Sequence, residues 1–196
     1  MATLLYQGHG SYRIVTSDRM VIYIDPFAGE GYDLPADLIL VTHQHSDHNQ
    51  IGLPVKKPDC EIITERDALK GGRYNTFQTK GVTVEAVEAY NKNHSRDACV
   101  GYIVTVDGIT LYASGDTSTT GQMKTFAARK LDYALLPADG IYNMDLEEAS
   151  ACADLIGAKY SIPIHLKPGA LFDRGRAERF TGKNRLIVQP GEEIEL

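Results

Sequence analysis

Three histidines and an aspartate crowd into six residues of "ILVTHQHSDHNQ", directly behind an apolar run. A buried strand must end at about Thr42, and residues 43–48 must occupy the loop after it, where rigid scaffolds usually present binding groups. His43 and His45 are two residues apart, so in extended backbone they project to the same side. Asp47 and His48 follow once the chain has turned, and face a neighbouring point. The spacing therefore supports two groups of ligands. Neutral imidazole and carboxylate suit Zn, and also Mn or Fe. The cysteines, Cys60, Cys99 and Cys152, have no C-x-x-C spacing, which argues against a thiolate zinc site and against a disulfide framework.

Other ligand-type residues recur at strand ends. His94 follows "VTVEAVEAYNKN", Asp116 follows "ITLYASG", and His165 follows "YSIPI". Each lies just past an apolar run, as His43 does. Together these positions take up five of the six histidines. A solvated histidine-rich tract would account for residues 43–48 but not for the others.

The apolar runs are short and rich in β-branched residues: "TLLYQ", "SYRIVT", "MVIYID", "LILVT", "EIIT", "VTVEAVEAY", "VGYIVTV" and "ITLYAS". They predict strands, with Asp107-Gly108 as a hairpin turn. Later strands, "LDYALLP", "YSIPIH" and "RLIVQP", alternate with helices. In "MDLEEASACADLIGAK", Asp145 predicts a cap and Gly157 a stop; "TGQMKTFAARK" and residues 173–181 are weaker helices. The expectation is one domain over residues 1–196, an α+β fold with sheet covered by helices.

No apolar run approaches the roughly 20 residues of a membrane span, and a cytoplasmic protein is expected. The net charge of -6 argues against a nucleic-acid partner and leaves a small-molecule substrate. Residues 166–185 depart from that average, with Lys167, Arg174, Arg176, Arg179, Lys183 and Arg185 against Asp173 and Glu178. Two readings stay open: a solvated helix and turn, or a rim that attracts an anionic substrate.

"THQHSDH" resembles the H-x-H-x-D-H signature of the metallo-β-lactamase superfamily, with "NH", "SGDT" and "PIH" following in that superfamily's order. More closely, "GHGSYRI", "IDPF", "LYASGDT", "LDYALLPADGIYNMD" and "IPIHLKPG" resemble the uncharacterised metal-dependent hydrolases related to the ascorbate-phosphate lactonases. The resemblance implies an αβ/βα four-layer sandwich of two mixed sheets with helices on the outer faces. It implies two divalent transition-metal ions, Zn foremost, with Mn or Fe as alternatives. His43, His45 and His94 would hold one ion, Asp47, His48 and His165 the other, and Asp116 would bridge them. After His165 the relatives continue with an aromatic residue and Asn-Thr-Phe-Pro, where this chain has "LKPGALFD", so the substrate pocket is expected to differ.

Two ions about 3.5–4 Å apart can share a hydroxide and polarise a carbonyl or phosphoryl oxygen. The expected function is hydrolysis of a small anionic ester, lactone or phosphodiester; the alternative is a noncatalytic metal-holding or ligand-sensing module. Asp47 is either a proton acceptor or purely a ligand. His9 is a substrate contact, a support behind the ligands or a plain turn residue. Asp25 is a partner for the outer nitrogen of a ligand histidine or a cap. Asp139, Tyr142, Asn143 and Lys167 are candidate substrate contacts.

Overall fold

The computed structural model describes all 196 residues, Met1–Leu196. In chain order the elements are β1 (Thr3–Gly8), β2 (Ser11–Val15), β3 (Val21–Ile24), β4 (Ala36–Leu40), β5 (Lys56–Ile63), the one-turn helix α1 (Glu65–Ala68), β6 (Leu69–Lys70), β7 (Arg73–Tyr74), β8 (Thr76–Thr79), β9 (Val82–Glu88), β10 (Val100–Val106) and β11 (Ile109–Ala113). A 3-10 helix (Gln122–Arg129) follows, then β12 (Tyr133–Pro137), α2 (Leu146–Ile156), β13 (Tyr160–Ile164), α3 (Arg174–Arg179) and β14 (Glu193–Glu195).

Ten of the strands expected from sequence form. Two six-stranded sheets result, ordered β14-β1-β2-β3-β4-β5 and β13-β12-β11-β10-β9-β8. Both are mixed, because β3, β4 and β5 run parallel while β1, β2 and β3 alternate, and β11, β12 and β13 run parallel beside the antiparallel β8–β11 meander. The meander contains the expected Asp107-Gly108 turn, with both φ angles positive as a two-residue hairpin requires.

Alternation along the strands decides the layers. Leu4, Tyr6, Ile22, Leu38 and Leu40 from one sheet meet Val84, Val104, Leu135 and Ile162 from the other in the main core. The opposite face of the second sheet packs its Tyr112, Ala134 and Leu136 under Phe126 of the 3-10 helix, Cys152 and Ile156 of α2, and Ala177 of α3. Asp145 caps α2 by accepting from Glu148 N, and Gly157 ends it in the left-handed conformation, as read from sequence.

Three local expectations change. "TGQMKTFAARK" forms a 3-10 rather than an α-helix. "RLIVQP" forms no strand, because it crosses from one sheet to the other: Arg185 bridges to Ser161 beside β13, and Gly191 N already bonds Tyr6 O on β1. A segment spanning two sheet edges can pair fully with neither. The outer face of the first sheet, with Tyr23 and Ile39, is covered by loop residues such as Tyr32, Leu34 and Ile51, so the helical layer lies on the second sheet.

A side-chain hydrogen bond joins the sheets just ahead of the histidine-rich loop. Tyr102 of β10, fully buried, donates its hydroxyl to Val41 O at 2.9 Å. Replacing Tyr102 by Phe leaves that carbonyl without its donor, so Tyr102→Phe should lower unfolding free energy by about 1–2 kcal/mol in urea melts; an unchanged midpoint would remove this tie from the account.

Candidate metal centre

β1, β3 and β4 of the first sheet run in one direction, as do β9, β11, β12 and β13 of the second. Their carboxyl ends gather at one edge of the sandwich, and the loops beyond them carry all six histidines. His9 follows β1, His43, His45 and His48 follow β4, His94 follows β9, and His165 follows β13.

The ligand atoms of His43, His45 and His94 lie within 4.8 Å of one another, and so do those of Asp47, His48 and His165. His9 joins the second group, which the sequence reading did not assign to it. Asp116 stands between the groups. Its Oδ2 is 3.2 Å from His94 Nε2, 3.5 Å from His165 Nε2 and 3.9 Å from His43 Nε2, while Oδ1 is 3.3 Å from His48 Nε2. The structure thus brings together all seven residues expected from sequence, in the expected two groups.

These residues fit a cation. His43 Nε2, His48 Nε2, His165 Nε2 and Asp116 Oδ1 are buried and have no hydrogen-bond partner. A buried polar atom without a partner costs about 1–3 kcal/mol. Four such atoms converging on one space are a poor arrangement for a protein that leaves them so, and a suitable one for divalent cations bound by nitrogen and oxygen.

The outer nitrogens of His43, His48 and His94 are hydrogen-bonded, that of His165 faces a carboxylate at ion-pair distance without completing a hydrogen bond, and these neighbours come from both sheets. Asp25, directly after β3, stands 2.8 Å from His48 Nδ1 and accepts from Thr42 N and Thr42 Oγ1 at 2.8 and 2.6 Å. Thr42 Oγ1 is in turn 3.0 Å from His43 Nδ1. Across the site, Asp139 Oδ2 lies 3.1 Å from His165 Nδ1 and accepts from Asn143 Nδ2 at 2.9 Å. Asn143 Oδ1 accepts from Asn91 Nδ2 at 3.0 Å, and Asn91 Oδ1 is 2.8 Å from His94 Nδ1.

Several sequence assignments change accordingly. Asp139 has no exposed side chain and also accepts from the backbone amides of Ile141 and Tyr142, so it braces His165 rather than touching a substrate. Asn143 ties Asp139 to Asn91 and is likewise a support. His9 has no exposed surface; its Nε2 is 3.1 Å from Asp47 Oδ2 and its Nδ1 3.0 Å from Ala170 O, which places it behind Asp47 instead of in contact with substrate. Lys167 is exposed and lines neither cleft described below. Asp25 occupies the bracing position expected of it. Thr42 and Asn91 went unmarked in the sequence reading; the only signal was their place one and three residues before His43 and His94.

Three site residues adopt the left-handed backbone conformation. His9, Asp25 and His165 have φ of 55°, 47° and 44°. Such conformations cost about 1–3 kcal/mol each and persist where the surroundings fix them. His9 O accepts from both Tyr6 Oη and His165 N, which locks two of these residues to each other. Gly115 answers a different demand: a Cβ there would lie 2.8 Å from Thr42 Cβ, so only glycine lets the Asp116 loop sit against Thr42.

Burial and the neighbouring carboxylates set opposite protonation preferences. Burial, helped by the other histidines, pushes His43 down to about 2, against the pull of Asp116. For His165 burial is outweighed by Asp116, Asp139 and Asp47, and the group is raised to about 9. His48 is raised in the same way by Asp116 and Asp25. Burial would raise Asp47 and Asp116, yet the surrounding histidines hold both below the usual carboxylate range.

Two clefts open on the centre and share His45, Asn93 and His94. The larger, about 710 Å³, runs past Gln44, Glu65, Arg66, Leu69 and Asp97. The smaller, about 410 Å³, lies over Asp47, Asp116 and His165 beneath Tyr142. Tyr142 is therefore placed where the sequence reading put a substrate contact. The basic segment is not: none of its six cations lines either cleft, and Arg176 and Arg185 donate to backbone carbonyls instead. The solvated helix and turn is the reading that matches.

The chain is similar to known proteins. Residues 3–165 match a profile described as the beta-lactamase superfamily domain. A metal-dependent hydrolase of Thermococcus kodakarensis is 30% identical over the whole of both chains, and one of Pyrococcus furiosus 31% identical over the whole of both. Among solved structures, one from Parabacteroides distasonis superposes with a TM-score of 0.77 at 30% identity, covering 95% of this chain and 92% of that one. A metallo hydrolase of Ignicoccus hospitalis shares the fold with a TM-score of 0.74 at 22% identity, over 100% of this chain and 99% of that one.

Because His165 and His48 are raised, both carry protons at neutral pH when no cation is held, and a cation must displace them. Zinc uptake should therefore release protons, and affinity should climb as pH rises towards about 9, where His165 gives up its proton unaided. Calorimetric titration with zinc at pH 7 should give enthalpies that differ between buffers of different ionisation enthalpy; identical enthalpies would contradict this.

Proposed function

The chain belongs to the β-lactamase superfamily, and from that premise we propose that it is a metal-dependent hydrolase with two divalent transition-metal ions, zinc foremost, acting on a small ester, lactone or phosphodiester. The observation that carries the reading is the convergence of four partnerless buried ligand atoms between two histidine groups and beside an open cleft. Cations held there would polarise a carbonyl or phosphoryl oxygen and lower the pKa of water towards neutrality.

The chain's own groups divide the remaining work. His43, His45 and His94 form one set of donors, and Asp47, His48 and His165 the other, with Asp116 placed to serve both. In the absence of cations His165 and His9 hold Asp47 below the usual carboxylate range, and Asp47 is placed either to hold a cation or to take a proton. Its side chain is 34% exposed and faces the smaller cleft, so it also meets whatever enters. Tyr142 and Asn93 form the mouth, where Asn93 Nδ2 donates to Tyr142 O and holds the tyrosine over the site.

The walls themselves do not select an anion. The charged residues lining the larger cleft are Glu65, Asp97 and Arg66, besides the histidines. Attraction for an anionic substrate would come from the cations rather than from a basic rim. The shared length of the two clefts favours a polar substrate with groups on both sides of the scissile bond.

Elemental analysis of protein purified without chelator should give close to two transition ions per chain; fewer than one, with no gain on adding zinc or manganese, sinks the proposal. A screen of lactones, thioesters, phosphomonoesters and phosphodiesters should reveal turnover that Asp116→Ala and His165→Ala abolish. Metal without turnover across that screen favours a noncatalytic metal-holding module instead. Tyr142→Ala should raise KM several-fold while leaving the ion count at two, which separates the mouth from the centre.

A further inference from the structure

Thr42 has a single hydroxyl proton, and its neighbours decide where that proton goes. Asp25 Oδ2, an acceptor only, lies 2.6 Å away, so Thr42 donates there. The remaining close partner of the hydroxyl is His43 Nδ1 at 3.0 Å. With its proton committed, Thr42 Oγ1 can only accept, and His43 Nδ1 must be the donor. That leaves His43 Nε2 bare and turned towards the shared space, where it has no partner.

The hydroxyl cannot swing away. Thr42 is fully buried, its amide donates to Asp25 Oδ1 at 2.8 Å, and its carbonyl accepts from Val100 N of the other sheet at 3.0 Å. From the far side Gly115 closes on it so tightly that an added Cβ would stand 2.9 Å from Oγ1. The same Asp25 oxygen that takes the threonine proton also faces His48 Nδ1 at 2.8 Å. One carboxylate and one hydroxyl therefore hold His43 of the first group and His48 of the second.

We propose that Thr42 is a positioning residue that sets the tautomer of His43 and, through Asp25, fixes the orientation of His43 and His48 as one unit. Its significance for metal uptake rests on the reading of His43 as an ion ligand; the tautomer does not. A histidine binds a cation through the nitrogen that carries no proton, and the hydrogen bond made by the other nitrogen decides which one that is. Without the hydroxyl, His43 should shift its proton to Nε2, where the Asp116 carboxylate lies 3.9 Å away.

The test compares Thr42→Ser with Thr42→Ala, a pair that leaves a similar gap at the lost methyl and differs in the hydroxyl. Nitrogen-15 spectra of histidine-labelled, metal-free protein report the His43 tautomer directly. Wild type and Thr42→Ser should show the Nδ1–H form, and Thr42→Ala a loss of it. In zinc titrations against a chromophoric chelator, Thr42→Ala should bind about 10–100-fold more weakly than Thr42→Ser, the range typical of losing a partner behind a ligand histidine. An Nδ1–H signal that persists in Thr42→Ala, or equal zinc affinity in the two variants, overturns the proposal. Wild-type protein that takes up no zinc defeats the hydrolase reading separately, and the metal-free spectra still decide the role of Thr42.

Discussion

One buried carboxylate ties the site together. Asp116 is 3% exposed and lies within 3.9 Å of a ring nitrogen of His43, His48, His94 and His165. Those four side chains come from loops after β4, β9 and β13, which belong to different sheets, so Asp116 is where the two halves of the sandwich meet chemically. An isolated charge at this depth would be expensive. It is tolerable because imidazoles surround it, and their Nε2 atoms face inward while Asp25, Thr42 and Asn91 bond the outer nitrogens of His48, His43 and His94 and Asp139 faces that of His165. Removing a brace therefore bears on the charge balance at the centre as well as on the ring it touches.

Much of this was legible in the sequence, and the reason is local. A ligand placed just after an apolar run is carried to the sheet edge by the strand itself, so His43, His94, Asp116 and His165 could be read without knowing the topology. Their division into two groups came from the family resemblance; the turn between His45 and Asp47 supported it only within residues 43–48. Asp139, Asn143, Thr42 and Asn91 resisted because their roles depend on which loop lies opposite. Asp139 on the β12 loop reads as a candidate substrate contact until β13 is paired beside β12 and brings His165 within 3.1 Å of it. The same limit applies to "RLIVQP", whose β-branched residues suit a strand although the segment leaves the edge at β13 to cross to the other sheet. The basic segment misled in a third way, since charge composition does not say that Arg176 and Arg185 are occupied by backbone carbonyls.

The strained residues turn the chain sharply at this edge. His9, Asp25 and His165 each turn the chain within one residue of a strand end. A left-handed residue there throws the side chain inward at once, where a longer loop would let it wander. The conformational cost is offset by the hydrogen bonds that these residues and their neighbours complete, among them the pair of bonds to His9 O.

The two walls of the cleft differ in what stands behind them. Asn93 and Tyr142 belong to the same two loops as Asn91 and Asn143, so the wall they form is continuous with the frame that orients His94 and His165. Arg66, Leu69 and Asp97 on the far side of the larger cleft touch none of those braces. Changes near Tyr142 would bear on the frame behind His94 and His165, while the far wall is tied to the first histidine group through Gln44, whose Nε2 donates to Glu65 at 2.8 Å. Each half of the pocket is thus coupled to a different histidine group, the mouth to His94 and His165 and the far wall to the His43–His45 turn.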